Sequence, residues 1–185
     1  MFFSNNQTIW LMKNKYTLLL FFAAFNFLGV QCKEERTELE MLPPVTIYGA
    51  GTFGCLINGR AWPVYEKGNQ NYFLFYHSGR LDLTYTVDNG PSVMFENIVI
   101  STNKVNKPGV YWIKYELPGN FFNITYGDEL FISDSKSNEN SFLYLNISRL
   151  DSVNRIVSGT FSFSLYNYWG TKRISVEEGR FDLPY

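Results

Sequence analysis

From residue 52 to the C-terminus apolar and polar positions alternate, and no stretch repeats with the 3.6-residue period of an amphipathic helix. Leu81, Leu83, Tyr85 and Val87 interleave with Arg80, Asp82, Thr84 and Thr86, the pattern of a strand with one buried face. Phe161, Phe163 and Leu165 alternate with Thr160, Ser162 and Ser164 in the same way, and Leu143, Leu145 and Ile147 form a third set. Further strands are predicted at 53–58, 62–66, 71–77, 93–101, 109–115, 121–126, 129–132 and 172–183. Between them lie Asn58-Gly59, Lys67-Gly68-Asn69, Asp88-Asn89-Gly90-Pro91, Lys107-Pro108-Gly109, Pro118-Gly119-Asn120 and the polar run 133–141. Short strands with Gly, Asn and Pro punctuation predict an all-β fold: a single antiparallel β-sandwich or flattened barrel of about 8–10 strands.

Upstream of residue 52 the pattern changes. Lys13 and Lys15 precede the apolar run Thr17–Phe25, which Asn26 interrupts well short of the roughly 20 residues that a membrane span needs. Residues 1–31 therefore read as an export signal. Residues 1–11 carry no basic charge, so Met12, which opens Met12-Lys13-Asn14-Lys15, is the better start. Cys32, placed directly after the apolar run, resembles the modified cysteine of a bacterial lipobox, with Gly29 and Gln31 departing from the usual pattern and Leu28 one position early. The resemblance implies that Cys32 carries the lipid. Residues 32–51 then form a tether, charged over Lys33–Glu40 and stiffened at Pro43-Pro44. Residues 52–185 form the domain. Lys33-Glu34-Glu35 also resembles the signal that routes some Bacteroidota lipoproteins to the outer face of the outer membrane.

Composition narrows the partners. The chain has 16 basic and 17 acidic side chains, and removing residues 1–32 takes Lys13 and Lys15 with no acid, leaving 14 against 17, or −3. With no basic block longer than Lys172-Arg173, the chain has no electrostatic footprint for nucleic acid. Aromatic residues make up 18% of the chain, which suits a β core, so most of the 17 Phe and 13 Tyr are read as core and cross-strand pairs. Once lipid consumes Cys32, Cys55 is left without a disulfide partner. It sits in the apolar run Thr52–Ile57 and reads as a small buried hydrophobe.

Candidate chemistry is sparse. His77 is the single histidine, at a strand end in Phe75-Tyr76-His77-Ser78-Gly79, and no Gly-x-Ser-x-Gly elbow accompanies it. One His and one core Cys do not make a standard zinc site, and Asp134 with its neighbours lacks the spacing of a calcium loop. No metal or other cofactor is expected. Asp128 with Glu129, Glu177 with Glu178, and Asp82 with Asp182 are the carboxylate pairs a hydrolase would need across a cleft. Asp82 and Asp182 belong to an internal echo, Gly79-Arg80-Leu81-Asp82-Leu83-Thr84-Tyr85 against Gly179-Arg180-Phe181-Asp182-Leu183-Pro184-Tyr185, which reads as convergence between two strands. The most suggestive feature is Tyr166-Asn167-Tyr168-Trp169-Gly170-Thr171 at an expected hairpin tip, where Tyr168 and Trp169 either fold back on the sheet or present flat faces to a sugar or partner. Trp62 is a third aromatic candidate for ligand contact.

Leu42-Pro43-Pro44, the run Gly51–Pro63, and the closing segments Ser158–Phe163 and Ile174–Leu183 together resemble an uncharacterised family of small Bacteroidota lipoproteins. The resemblance spans residues 42–185 and implies a lipid-tethered β domain on the cell outer membrane, surface-exposed or on the periplasmic face, with no catalytic residues to carry over. The expected function is a non-enzymatic envelope binding or assembly module, attached to the membrane by lipid and engaging an envelope protein or a glycan through loops on a rigid scaffold. The alternatives are a glycan- or peptidoglycan-binding module using aromatic loops and, third, a carboxylate-dependent hydrolase.

Overall fold

The computed structural model describes residues 36–63, 69–90, 95–116 and 119–185. The expected signal segment, the Met12 start and Cys32 lie outside the described residues. Eleven strands are present among those described: β1 (Thr52–Ile57), β2 (Arg60–Trp62), β3 (Asn69–His77), β4 (Arg80–Asp88), β5 (Glu96–Thr102), β6 (Gly109–Lys114), β7 (Phe121–Tyr126), β8 (Glu129–Ile132), β9 (Phe142–Asp151), β10 (Ile156–Tyr166) and β11 (Arg173–Pro184). They form a six-stranded sheet in the order β2-β1-β11-β10-β9-β6 and a five-stranded sheet in the order β3-β4-β5-β7-β8. Every pairing is antiparallel. The two sheets pack as a sandwich and do not close into a barrel, which decides between the two architectures the alternation allows.

The inner faces carry the residues that alternation places there. Leu81, Leu83, Tyr85 and Val87 of β4 meet Leu143, Leu145 and Ile147 of β9 and Phe161, Phe163 and Leu165 of β10 in one continuous core. At one end of that core Phe53 stacks on Tyr85, with ring centres 4.2 Å apart and planes 10° from parallel, and meets Trp62 edge-on at 6.1 Å. Cys55 is fully buried beside them, and burial pushes its thiol pKa up, so it is inert as a thiolate.

Turn chemistry moves one boundary. The second strand begins at Arg60 and not at residue 62, because Asn58 and Gly59 take φ of +49° and +79° and form a two-residue turn that pairs Ile57 directly with Arg60. Ser78-Gly79 does the same between β3 and β4. The echoed glycines therefore have different physical reasons. Gly79 supplies a left-handed turn residue, whereas a Cβ on Gly179 would stand 2.5 Å from the Phe161 carbonyl oxygen and 2.7 Å from its ring.

Residues 36–51, assigned by composition to the tether, are fastened to the six-stranded sheet. Leu42 is buried, Pro43 packs on Gly54, and Arg180 donates to the Pro43 carbonyl at 3.1 Å. Glu38 accepts from the backbone of Ala61, and Asp182 accepts from the backbone N–H groups of Tyr48, Gly49 and Ala50 at 3.1, 2.8 and 3.0 Å.

Candidate functional site

The outer face of the six-stranded sheet carries a feature that alternation does not reveal. On β10 the outward residues are small: Thr160, Ser162 and Ser164. On the β9 side of them stand Tyr144 and Phe142, and one strand further out stands Trp112, 68% exposed. Register fixes this neighbourhood, since Trp112 pairs with Tyr144 and Tyr144 with Ser162, and the Trp112 and Tyr144 rings meet edge-on at 5.1 Å. On the other side β11 contributes Arg173, Ser175 and Glu177. Small residues between a taller aromatic wall and a charged wall leave an open trough of about 470 Å³, lined by Trp112, Phe142, Tyr144, Ser162, Arg173 and Glu177 among others.

A β-bulge extends the trough. The register between β10 and β11 slips between Phe161↔Gly179 and Phe163↔Val176, so Glu177 and Glu178 together stand opposite Ser162, and Glu178 takes φ of +51°. Beyond the bulge a smaller depression of about 200 Å³ continues past Tyr144 and Ser162 to Glu178, Arg180 and Val45. The polar wall is pre-ordered by its own bonds. Arg173 donates to the Ser164 hydroxyl at 2.7 Å, Ser164 donates to the Ile174 carbonyl, and Ser175 donates to Glu177 at 2.6 Å. Lys114 lies over the Phe142 ring, 5.8 Å from its centre.

The β10–β11 hairpin runs on to the tip that holds Tyr168 and Trp169. Both rings are exposed, Trp169 at 79%, and they meet edge-on at 5.1 Å without folding back on the sheet. The base of the tip is rigid. The buried Asn167 side chain accepts from the backbone of Thr171 and Lys172, and the buried Asn138 accepts from the Tyr166 N–H at 2.7 Å while donating to the Tyr166 and Ile132 carbonyls. Lys172 pairs with Glu129 beside it. An exposed aromatic pair on a fixed base loses little freedom when it binds.

The other sequence candidates fall elsewhere. Trp62 is 4% exposed, edge-on to Phe53 and Tyr85 in the core and with its indole N–H donated to Glu96 at 2.7 Å, so it offers little surface to a ligand. The reason is the early start of β2, which turns Trp62 inward against Phe53 and Tyr85. His77 is exposed at the β3–β4 turn, near the Phe75 ring. Asp82 and Asp182 stand on different sheets and do not face one cleft. Asp82 binds Arg80 and Ser101, and Asp182 binds Ser158 and the 48–50 backbone. Glu129 is engaged by Lys172, whereas Glu177 and Glu178 both line the trough.

Trp112, Tyr144 and Phe142 went unmarked in the sequence because an apolar residue on a strand is first assigned to the core. The signal that could have found them is the run Val110-Tyr111-Trp112-Ile113, which is apolar in both phases although one face must be wet, read beside the unbroken small-polar phase of β10. The fold and site together define an antiparallel β-sandwich with an aromatic-walled trough across one outer face. No family model, no curated protein and no solved structure matches the chain.

Proposed function

We propose that the chain is a lipid-tethered, non-catalytic binding module of the cell envelope, and that the outer-face trough holds a glycan. The observation that carries this reading is the opposition of the Trp112–Tyr144 aromatic wall to a wall of Arg173, Ser175 and Glu177 across a floor of hydroxyls. Sugar rings present an apolar face and a hydroxyl edge, and flat aromatic rings with nearby fixed donors and acceptors complement both. The trough is open along its length, as a polymer requires, and the Tyr168–Trp169 pair extends the aromatic surface at the hairpin tip. Lipid on Cys32 would hold the module at the outer membrane.

Binding of the full chain to immobilised envelope glycan, peptidoglycan included, tests the reading. Replacing Trp112 and Tyr144 with Ala is expected to weaken retention by about tenfold or more while shifting the thermal midpoint much less than emptying a core site would, since Trp112 is exposed and Tyr144 only half-buried on the outer face. Parallel replacement of Tyr168 and Trp169 shows whether the tip shares the ligand. Undiminished retention in both double variants would reject the glycan reading. Tethering is tested separately: a fatty-acid probe should label the wild-type chain in cells and miss Cys32→Ala, and equal labelling of the two would remove the lipid.

A further inference from the structure

Strand β3 is an edge of the five-stranded sheet, and it lacks the devices by which edges are normally protected. Over nine residues, Asn69–His77, it has no Lys, Arg, Asp, Glu or Pro, and its register with β4 runs without a bulge. The other edges are shorter: β2 has three residues, β8 has four, and β6 has six and carries Lys114. Tyr72, Phe73 and Phe75 are all exposed, Phe73 at 60%, and among the described residues no strand pairs with the free side of β3. The two-residue turn at Ser78-Gly79 makes His77 and Arg80 a hydrogen-bonded pair, so alternation directs the N–H and C=O groups of Gln70, Tyr72, Leu74 and Tyr76 to the open side.

The sequence along that edge is its own mirror. Tyr72-Phe73-Leu74-Phe75-Tyr76 reads identically in both directions about Leu74. We infer that the occupant of this edge is a second copy of the chain, joined β3 to β3 in antiparallel fashion about a two-fold axis at Leu74, so that the two five-stranded sheets become one sheet of ten. This register sets Leu74 opposite Leu74, Tyr72 opposite Tyr76 and Phe73 opposite Phe75 of the second copy. Leu74, Tyr72 and Tyr76 are the residues whose backbone groups point outward, so the hydrogen-bonding phase and the side-chain phase agree. Phe73 and Phe75 fall at non-hydrogen-bonded pairs, where facing side chains come closest, and their exposed rings cover one another across the seam. No like charges oppose each other, since the segment carries none. An isologous contact uses the edge of both copies and closes at two, which gives an aromatic, uncharged edge a partner without growth into a fibre. The inference stands whether or not the trough binds glycan.

The mass of the detergent-solubilised full chain, measured by light scattering over a dilution series, is expected to be that of two chains at micromolar concentration. A single-chain mass throughout would overturn the proposal. Tyr72→Pro removes a donor that β4 does not use, and proline is tolerated on an edge strand in that orientation. The variant should keep its strand signal and thermal midpoint while the dimer dissociation constant rises by about tenfold or more, from two symmetry-related hydrogen bonds lost. An unchanged constant in a folded variant would place the contact elsewhere. Register is read by cysteine crosslinking in cells. Phe73→Cys/Phe75→Cys should give a reducible covalent dimer absent from the wild type and from Phe73→Cys alone, and a dimer of equal yield in the single variant would overturn the Leu74 axis.

Discussion

Asp182→Ala is expected to cost about 3–5 kcal/mol, because it removes one buried acceptor that four donors share and leaves several of them unsatisfied. The carboxylate is 1% exposed and accepts from the backbone N–H groups of Tyr48, Gly49 and Ala50 and from the Ser158 hydroxyl at 2.6 Å. Among the described residues no basic side chain pairs with it, and hydrogen bonds compensate its charge. Burial works against ionisation, but the Ser158 hydroxyl and the Ala50 and Gly49 backbone N–H groups outweigh it and hold the pKa below the ordinary aspartate value. The sign of the pH dependence follows. A carboxyl whose folded pKa is depressed contributes stability that is fully present above the unfolded pKa and is lost as pH falls through the folded one. Denaturant titrations at neutral pH and again below about pH 4 should therefore show a steeper acid loss in wild type than in Asp182→Asn, which keeps an acceptor but cannot ionise. Asp151, lowered by its bonds to Asn154 and Arg149, adds an acid loss of the same sign to both proteins and drops out of the difference. Equal acid limbs would mean that Asp182 is not the charged clasp of the 48–50 segment.

That clasp marks where sequence reading stops. The strands themselves were legible: alternation in Arg80–Val87 and Thr160–Leu165 places each apolar residue on the face where it is found, because a period of two is a direct consequence of strand geometry. The predicted 172–183 strand matches Arg173–Pro184 closely for the same reason. The docking of residues 36–51 was not legible. It depends on Asp182, more than 130 residues away in sequence, receiving backbone donors that have no side-chain signature. Nor was the trough, which arises from three strands meeting in register: β6 and β9 supply large outward residues, β10 small ones, and a bulge on β11 brings two adjacent glutamates to one wall. Periodicity within a strand fixes which residues share a face. It does not fix which strands lie side by side, and a trough is a property of neighbours.

The aromatic candidates separate by the same logic, and Trp62 gives the second large effect. Trp62→Ala should destabilise the chain by about 3–5 kcal/mol, the usual cost of emptying a buried tryptophan site in a packed core. The indole lies edge-on to Phe53 at 6.1 Å and to Tyr85 at 5.9 Å, and its loss would also strip the Glu96 carboxylate of the N–H donor at 2.7 Å. Phe53 stacks on Tyr85 and tilts against Phe161 at 5.4 Å, so a void at Trp62 opens against the ring cluster joining the two sheets and cannot collapse without disturbing it. Replacing Tyr168 and Trp169 together, whose rings contact each other and solvent, should change stability by less than about 1 kcal/mol. The measurement is a pair of equilibrium unfolding curves in denaturant, with the slope compared as well as the midpoint. A Trp62→Ala curve that overlays the wild type would return Trp62 to the surface as a ligand residue. A Tyr168→Ala/Trp169→Ala curve displaced as far as that expected for Trp62→Ala would make the tip a structural cap and remove it from the surface proposed for a glycan.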